Sequence, residues 1–350
     1  MITLKDVARA LGVAPSTVGR ALADHPHVHE RTKARVRAAA AEMGYVGHLP
    51  ARVMRGGRSA LIGLTIPDVR NDFYSTAAQA ISEACARDGY QVVLCLTGDA
   101  PDRERDQLRG LVAARCAGVI VVGTGRMHRE TVALLDQVPH VQLIRRARGL
   151  HAPWFGIDDA ASTRLAVEHL VALGHRDLGY VGGDLELSTG AERFRGFREA
   201  MAAAGLASTA RWCEHGSGDE ASGRVATHRV LGGARRPTAL VLAGSRLTAG
   251  ALAAIRELEI GVPRELSVVG FNDAGALGWW GSGVTSVGLP VGDIALAYAS
   301  GLLAALRASS PGAPAGETQA GAQVAATFAP YLVERGSTAA PESRKRARAA

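Results

Sequence analysis

At 350 residues and 47% hydrophobic content, the chain is long enough to bury more than one core, and two to three domains are expected. The formal net charge of +7 is uneven: residues 1–58 hold ten Lys/Arg against four Asp/Glu, residues 336–350 four against one, and the body between is slightly acidic. A basic head on a near-neutral body points to a polyanionic partner; no run approaches the ~20 apolar residues of a membrane span, and four scattered cysteines exclude a disulfide scaffold.

In chain order, Leu4, Val7, Ala8 and Leu11 recur at helical spacing, and Gly12 interrupts them. Val13, Val18, Ala21 and Leu22 resume the pattern on a second helix, and a third runs from about Arg31 to Met43 before Gly44. A short helix, a glycine turn and a second short helix make the helix-turn-helix unit, whose second helix enters a DNA major groove. His25, His27 and His29 alternate before the third helix and can meet phosphate, water or a metal. The basic connector Leu49–Arg58 then leads into a buried strand. Beyond residue 60, apolar runs ("LIGLTI", "QVVLCL", "GVIVVG", "HVQLI", "DLGYVGG", "TALVLAG", "LSVVGF") alternate with amphipathic segments, the pattern of parallel sheets in doubly wound layers. Cys85, Cys95, Cys116 and Cys213 lie in or beside these runs and are expected as reduced thiols.

Taken together and in order over residues 2–338, "DVARALGVAPSTVGRAL", the "ARVM" connector, "IGL", "ERFRGFREAMAAAGL", "VPRELSVVGFND", "VTSVGLP" and "YLVERGST" resemble the lactose-repressor (LacI/GalR) family of bacterial transcription regulators. The resemblance implies an all-α helix-turn-helix head at 1–48 and a hinge at 49–59. It implies an α/β sensor body of two doubly wound parallel-sheet subdomains, similar to periplasmic binding proteins. One subdomain spans 60–158 and 288–315, the other 159–287 and 322–336, with a disordered tail at 337–350. Crossings between them are expected near Ile157–Ala160, Thr285–Leu289 and Ala315–Gln323.

By the same resemblance Pro15, Ser16, Thr17 and Arg20 face DNA, Arg52 belongs to the hinge's DNA contact, and Met54 stands where members carry a minor-groove wedge. Family members usually have Ser at the Ala14 position, and Gly19 weakens its helix by roughly 1 kcal/mol relative to Ala. Effector residues are expected at the strand ends: Asn71, Phe73 and Tyr74, then Thr189 and Arg193, then Asn272 and Asp273. Phe73 and Tyr74 can stack on a ring or pack beneath their helix; Trp279 and Trp280 can wall the cleft or lie in an interface. The loss of the family's polar pair at Gly244–Ser245 removes pocket hydrogen bonds. Ile144 stands where neutral-sugar-binding members often place a carboxylate; Arg145 and Arg146 follow it and either enter the cleft or turn to solvent. If Arg145 joins Arg193 facing Asp273, two guanidinium groups favour an acidic ligand such as a sugar acid.

The expected protein is therefore a cytoplasmic, nucleoid-associated homodimer that binds double-stranded operator DNA under control of a small effector, a sugar or sugar acid. No motif calls for a cofactor or metal: "GTGRMH" lacks the third glycine of a dinucleotide loop, and no nucleophile, base and orienter assemble. His169 and His175, at a helix end, are expected to cap or pack. The competing reading is a sugar-binding receptor without a DNA-binding role, which the basic head and the absence of a leader-like N-terminus oppose.

Overall fold

The computed structural model describes residues 2–22, 25–45, 59–207, 210–308 and 326–342. It forms two compact units, residues 1–60 and 61–350.

In the first unit, α1 (Leu4–Leu11), α2 (Pro15–Leu22) and α3 (Glu30–Glu42) close on a small core of Val7, Ala8, Val18, Ala21, Val28, Val36 and Ala40. The Asp6 carboxylate caps α1, accepting from the Thr3 backbone N–H at 2.9 Å and from its hydroxyl at 2.6 Å. Gly12, at φ 64°, takes the left-handed conformation that ends α1 and turns the chain into α2. His29 is a helix cap: its Nδ1 accepts from the Arg31 backbone N–H at 3.2 Å at the start of α3. Arg52 and Met54, and with them the expected hinge contacts, lie outside the described residues.

The second unit contains two six-stranded sheets. The first runs β11-β5-β4-β3-β1-β2, from β1 (Leu61–Ile66), β2 (Gln91–Leu96), β3 (Gly118–Val121), β4 (His140–Leu143), β5 (Trp154–Ile157) and β11 (Ala326–Phe328). The second runs β12-β10-β9-β8-β6-β7, from β6 (Leu178–Gly183), β7 (Cys213–Gly216), β8 (Ala239–Leu242), β9 (Ser267–Phe271), β10 (Thr285–Gly288) and β12 (Tyr331–Val333). Every pairing is parallel except β10 with β12. The central strands are buried throughout, as strands covered by helices on both faces must be.

Around the first sheet pack α4 (Asp72–Arg87), α5 (Pro101–Ala113), α6 (Arg129–Leu135) and α11 (Val291–Ala308). Around the second pack α7 (Asp159–Ala172), α8 (Ser188–Ala203), α9 (Glu220–Leu231) and α10 (Ser245–Glu257). Two helix pairs approach so closely that only glycine fits: a Cβ on Gly196 would lie 2.2 Å from the Ala160 carbonyl oxygen, and one on Gly250 1.9 Å from that of Glu220.

The chain passes from β5 to α7 at Ile157–Asp159 and from β10 to α11 at Gly288–Val291, leaving one sheet for the other each time. The third expected crossing requires correction. Residues 315–323 lie outside the described residues, but Ala326–Phe328, assigned by sequence to the second subdomain, pairs in parallel with β5 of the first. The chain changes sheets only after Phe328, across Ala329 and Pro330. Pro330 has no N–H to continue either ladder, which suits it to the junction.

The tail expected to be disordered from residue 337 is corrected at its start: past β12, Ser337, Thr338 and Ala339 strap the second sheet. The His169 Nε2 sits 2.9 Å from the Thr338 hydroxyl, and His175 reaches Thr238 at 2.9 Å, Ser267 at 3.0 Å and the Ala339 carbonyl at 2.9 Å. Both histidines thus secure the strap. No helix among the described residues is long and apolar enough to cross a membrane.

Candidate functional site

On α2, Pro15, Ser16 and Arg20 are exposed and Thr17 half-exposed, while Val18, Gly19 and Ala21 turn inward. One face of the helix is committed to the head's core and the other is free. Gly19 therefore lies on the packed face, not among the exposed positions. Ala14, before α2, has no side-chain oxygen to cap it; its carbonyl accepts from the Thr17 and Val18 N–H groups at 2.9 and 3.2 Å, Pro15 has no N–H, and the Ser16 N–H is left as the first-turn donor.

In the body, a cavity of about 420 Å³ opens between the two sheets' strand ends. Its walls bring together five of the sequence-derived positions, Asn71, Tyr74, Arg145, Thr189 and Arg193. Asn71 caps α4 by accepting from the Phe73 N–H at 3.1 Å, which fixes the first turn so that Tyr74 points to the cavity. Tyr74 and Thr189 are 7% exposed, and their hydroxyls make no hydrogen bond among the described residues.

Ile144 ends β4 at φ 61°, a left-handed conformation rare for a β-branched residue. Its N–H is held by the Phe155 carbonyl at 2.9 Å and the Tyr298 hydroxyl at 2.8 Å. The next two side chains then part. Arg145 enters the cleft, while Arg146 stacks over Trp154 at 3.8 Å and donates its backbone N–H to Ser188 of the other subdomain at 2.9 Å.

Each cleft arginine already has a carboxylate. Arg145 forks onto Asp99, through a short Nη1 contact to Oδ1 and an Nη2 contact of 3.1 Å to Oδ2. Arg193 donates through Nε to Asp159 at 2.6 Å and through Nη1 to the Ala243 carbonyl at 3.1 Å, with its guanidinium over Phe271. Burial raises the Asp159 carboxyl above its ordinary range even with Arg193 pulling it down. Burial opposes the Arg145 charge, but the hydrogen-bonded Asp99 carboxylate outweighs it and keeps the guanidinium protonated. Behind this wall Glu104, fully buried, accepts from the Thr124 N–H at 3.0 Å and hydroxyl at 2.7 Å.

Four expected effector residues stand elsewhere. Phe73 packs into the core of the first subdomain. Asn272 is buried in a left-handed turn, its N–H bonded to the Val287 carbonyl at 2.7 Å. Asp273 is held by Arg335, at 2.5 and 3.2 Å, and by Ser286 at 2.7 Å, so it does not face Arg145 and Arg193. Trp280 packs against the core of the second subdomain, and its neighbour Trp279 is 89% exposed. The argument that two unmatched arginines demand an acid falls with this arrangement.

Sequence reasoning missed Asp99, Asp159, Arg103, Asp219 and Arg246. Asp99 in "TGDAP" follows β2 and Asp219 follows β7, so a stricter reading of strand ends would have found both. Among the described residues no group of His, Cys, Asp and Glu could hold a metal ion.

Comparison with known proteins agrees with this division of labour. Residues 3–47 match the model for bacterial regulatory proteins of the lacI family, and residues 167–338 match a periplasmic binding protein-like domain. The chain is 30% identical to the HTH-type transcriptional repressor PurR of Serratia proteamaculans, over 83% of this chain and 86% of that one. It is 28% identical to the HTH-type transcriptional regulator GalR of Salmonella typhimurium, over 97% of each. The crystal structure of the lac repressor dimer bound to operator and the anti-inducer ONPF superposes with a TM-score of 0.80 at 25% identity, over 97% of this chain and 99% of that one. A receptor lacking a DNA-binding head is thereby set aside. The chain belongs to the LacI/GalR family of bacterial DNA-binding transcriptional regulators.

Proposed function

We propose that the protein is a cytoplasmic, nucleoid-associated repressor, acting as a homodimer, whose operator affinity is set by a small polyhydroxylated effector bound in the cleft. The observation that carries the effector reading is the make-up of the cavity wall. The Arg145–Asp99 fork on one subdomain faces Arg193 on the other, which Asp159 holds through its Nε from behind the wall, and the unpartnered Tyr74 and Thr189 hydroxyls stand with them. Alternating donors and acceptors match the hydroxyls of a sugar or sugar acid. Tyr74 is the single aromatic residue in the lining, so a flat heteroaromatic ring would find no sandwich to enter.

Because the ligand touches both subdomains, it can favour one relative arrangement of them, which is what an effector needs in order to act at a distance. The relatives are transcription regulators, and the same reading treats this chain as a regulator without enzymatic chemistry. Support for the homodimer comes from Val69, Leu94 and Leu96, each about two-fifths exposed at or beside the unpaired edge strand β2.

The test begins with selection of bound duplexes from a random library, at 50 and 200 mM salt. Recovery of a near-palindromic sequence, with affinity falling steeply as salt rises, is expected. Fluorescence anisotropy on that duplex is then repeated with a panel of sugars and sugar acids. A panel member that shifts operator affinity, and loses this effect in Tyr74→Phe, supports the cleft as effector site. Operator binding indifferent to every ligand that binds the body would remove the regulatory reading.

A further inference from the structure

The loop between α2 and α3 carries histidines at alternate positions, His25, His27 and His29. Val28 is buried in the head's core, so the residues on either side of it, His27 and His29, turn outward and are exposed. The loop is fastened to the helix that faces DNA. The His25 backbone N–H donates to the Arg20 carbonyl at 3.0 Å, and the Val28 N–H donates to the His25 carbonyl at 3.0 Å. An eight-residue helix such as α2 is about 12 Å long, close to the width of a major groove. With α2 in the groove, the chain leaving its end meets the phosphates that wall it.

The three rings are not equivalent. His29 accepts at Nδ1 from the Arg31 N–H at 3.2 Å, so its proton sits on Nε2, and the start of α3 opposes a positive charge there. His25 accepts at Nδ1 from the His27 N–H at a longer 3.3 Å. The His27 ring has no hydrogen bond or ion pair among the described residues, and its centroid lies 5.2 Å from that of His25. Two positive charges at that spacing repel, so the pair is suited to hold one. Among the described residues no carboxylate pairs with either ring. Glu30 is taken by Lys33 at 2.6 Å and Asp6 on α1 by Arg9 at 3.2 Å, Glu42 stands at the far end of α3, and Lys5, Arg20 and Arg31 are cations. Asp24 lies outside the described residues.

We propose that this loop is a proton-tuned grip on the DNA backbone. His25 and His29 present Nε2–H donors while neutral, and a proton taken up by the His25–His27 pair sets one further positive charge per head against a phosphate. The phosphate favours the charged ring, so bound protein holds more protons than free protein and binding tightens toward acid. Affinity therefore rises as pH falls through the range, roughly 8 to 5, in which histidine ordinarily changes charge. Phosphates carry no sequence, so the gain is shared by operator and random DNA. The grip belongs to the head and does not depend on what occupies the cleft.

Fluorescence anisotropy on the full chain tests this at pH 8.0 and 6.0, between about 50 and 200 mM salt, with the selected duplex and a scrambled duplex of equal length. Neutralising one more phosphate per head steepens the fall of log affinity with log salt by about 0.9, or about 1.8 with two heads on one duplex. This slope counts charges, which a merely structural role of the loop would not move. The double variant His25→Gln with His27→Gln keeps neutral donors but cannot take up the proton, and its slope should be the same at both pH values. His29→Gln should keep the parent's pH difference. A parent slope that does not change with pH overturns the proposal without recourse to any variant. So does a pH difference that survives in the double variant, that vanishes equally in His29→Gln, or that is confined to the selected duplex.

Discussion

Single residues decide what each face of this protein presents. Arg20 stands exposed near the end of α2 while Val18 and Ala21 on the same helix are fully buried, so its side chain is free for DNA and contributes little to the head's core. Arg20→Ala should therefore weaken operator binding by about 1–3 kcal/mol, or roughly ten- to a hundredfold. Calorimetric binding of the effector should not change, and a head that still melts cooperatively would exclude unfolding as the cause. His175 shows the opposite economy, a titratable group used purely for structure. It is 1% exposed, and burial holds its pKa below the ordinary 6.5 even though the Ala339 carbonyl favours the charged form. As pH falls through about 6.5 the unfolded chain takes up the proton first, so the stability His175 confers is full above that value and lost below it. His169 and His215 are shifted the same way by burial, opposed by Glu334 in the first and by the Gly183 carbonyl and then Glu214 in the second. The body's melting temperature should drop between pH 7.5 and 5.5, and by less in His175→Gln. A drop of equal size in the variant would place the titration elsewhere.

At the scale of elements, what could be read from the chain and what could not divide along physical lines. Strands β1, β2, β3, β4, β6, β8 and β9 stand where the sequence shows apolar runs, and in the central ones every position is apolar because both faces are covered. Strands β5, β7, β10, β11 and β12, three or four residues each, lie outside those runs. Ala326–Phe328 joined the wrong subdomain for this reason: nothing local in "ATF" says which edge it will pair with. The cavity was half legible. Strand-end positions gave Asn71, Tyr74, Thr189 and Arg193, but the partner of Arg145 is Asp99, 46 residues away, and only the three-dimensional order β4-β3-β1-β2 brings the two together. Helix packing offers a direct test of how tightly the second subdomain is specified. A methyl group on Gly250 would meet the Glu220 carbonyl oxygen, with the Arg224 N–H 2.8 Å away, and neither is the movable end of a side chain. Gly250→Ala should destabilise the body by about 1–3 kcal/mol, the usual cost of overpacking, despite alanine's better helix propensity. Denaturant titration measures it; a neutral or stabilising result would mean that α9 and α10 can slide apart freely.

For the whole molecule, function depends on two copies acting together. A head of 45 or so residues that offers one eight-residue helix makes few base contacts, and specific binding improves greatly when a second head is held at high effective concentration over the other half-site. The surface proposed to hold the copies together is the edge of the first sheet. Among the described residues the β2 strand pairs with β1 on one side only, and its Leu94 and Leu96 are each 40% exposed. An unguarded apolar edge of this kind favours self-association. Leu96 also lines the effector cavity, so Leu94 is the position at which the interface can be broken without touching the ligand site. Leu94→Glu places like charges opposite one another across a two-fold axis, and no packing rearrangement removes that repulsion. Light scattering should find the variant monomeric at micromolar concentrations where the parent is dimeric. Operator affinity should fall more than tenfold while calorimetric effector binding per chain stays the same. A dimer that persists in Leu94→Glu with full operator affinity would move the interface away from β2, to one of the remaining exposed apolar positions such as Val225 on α9 or Trp279.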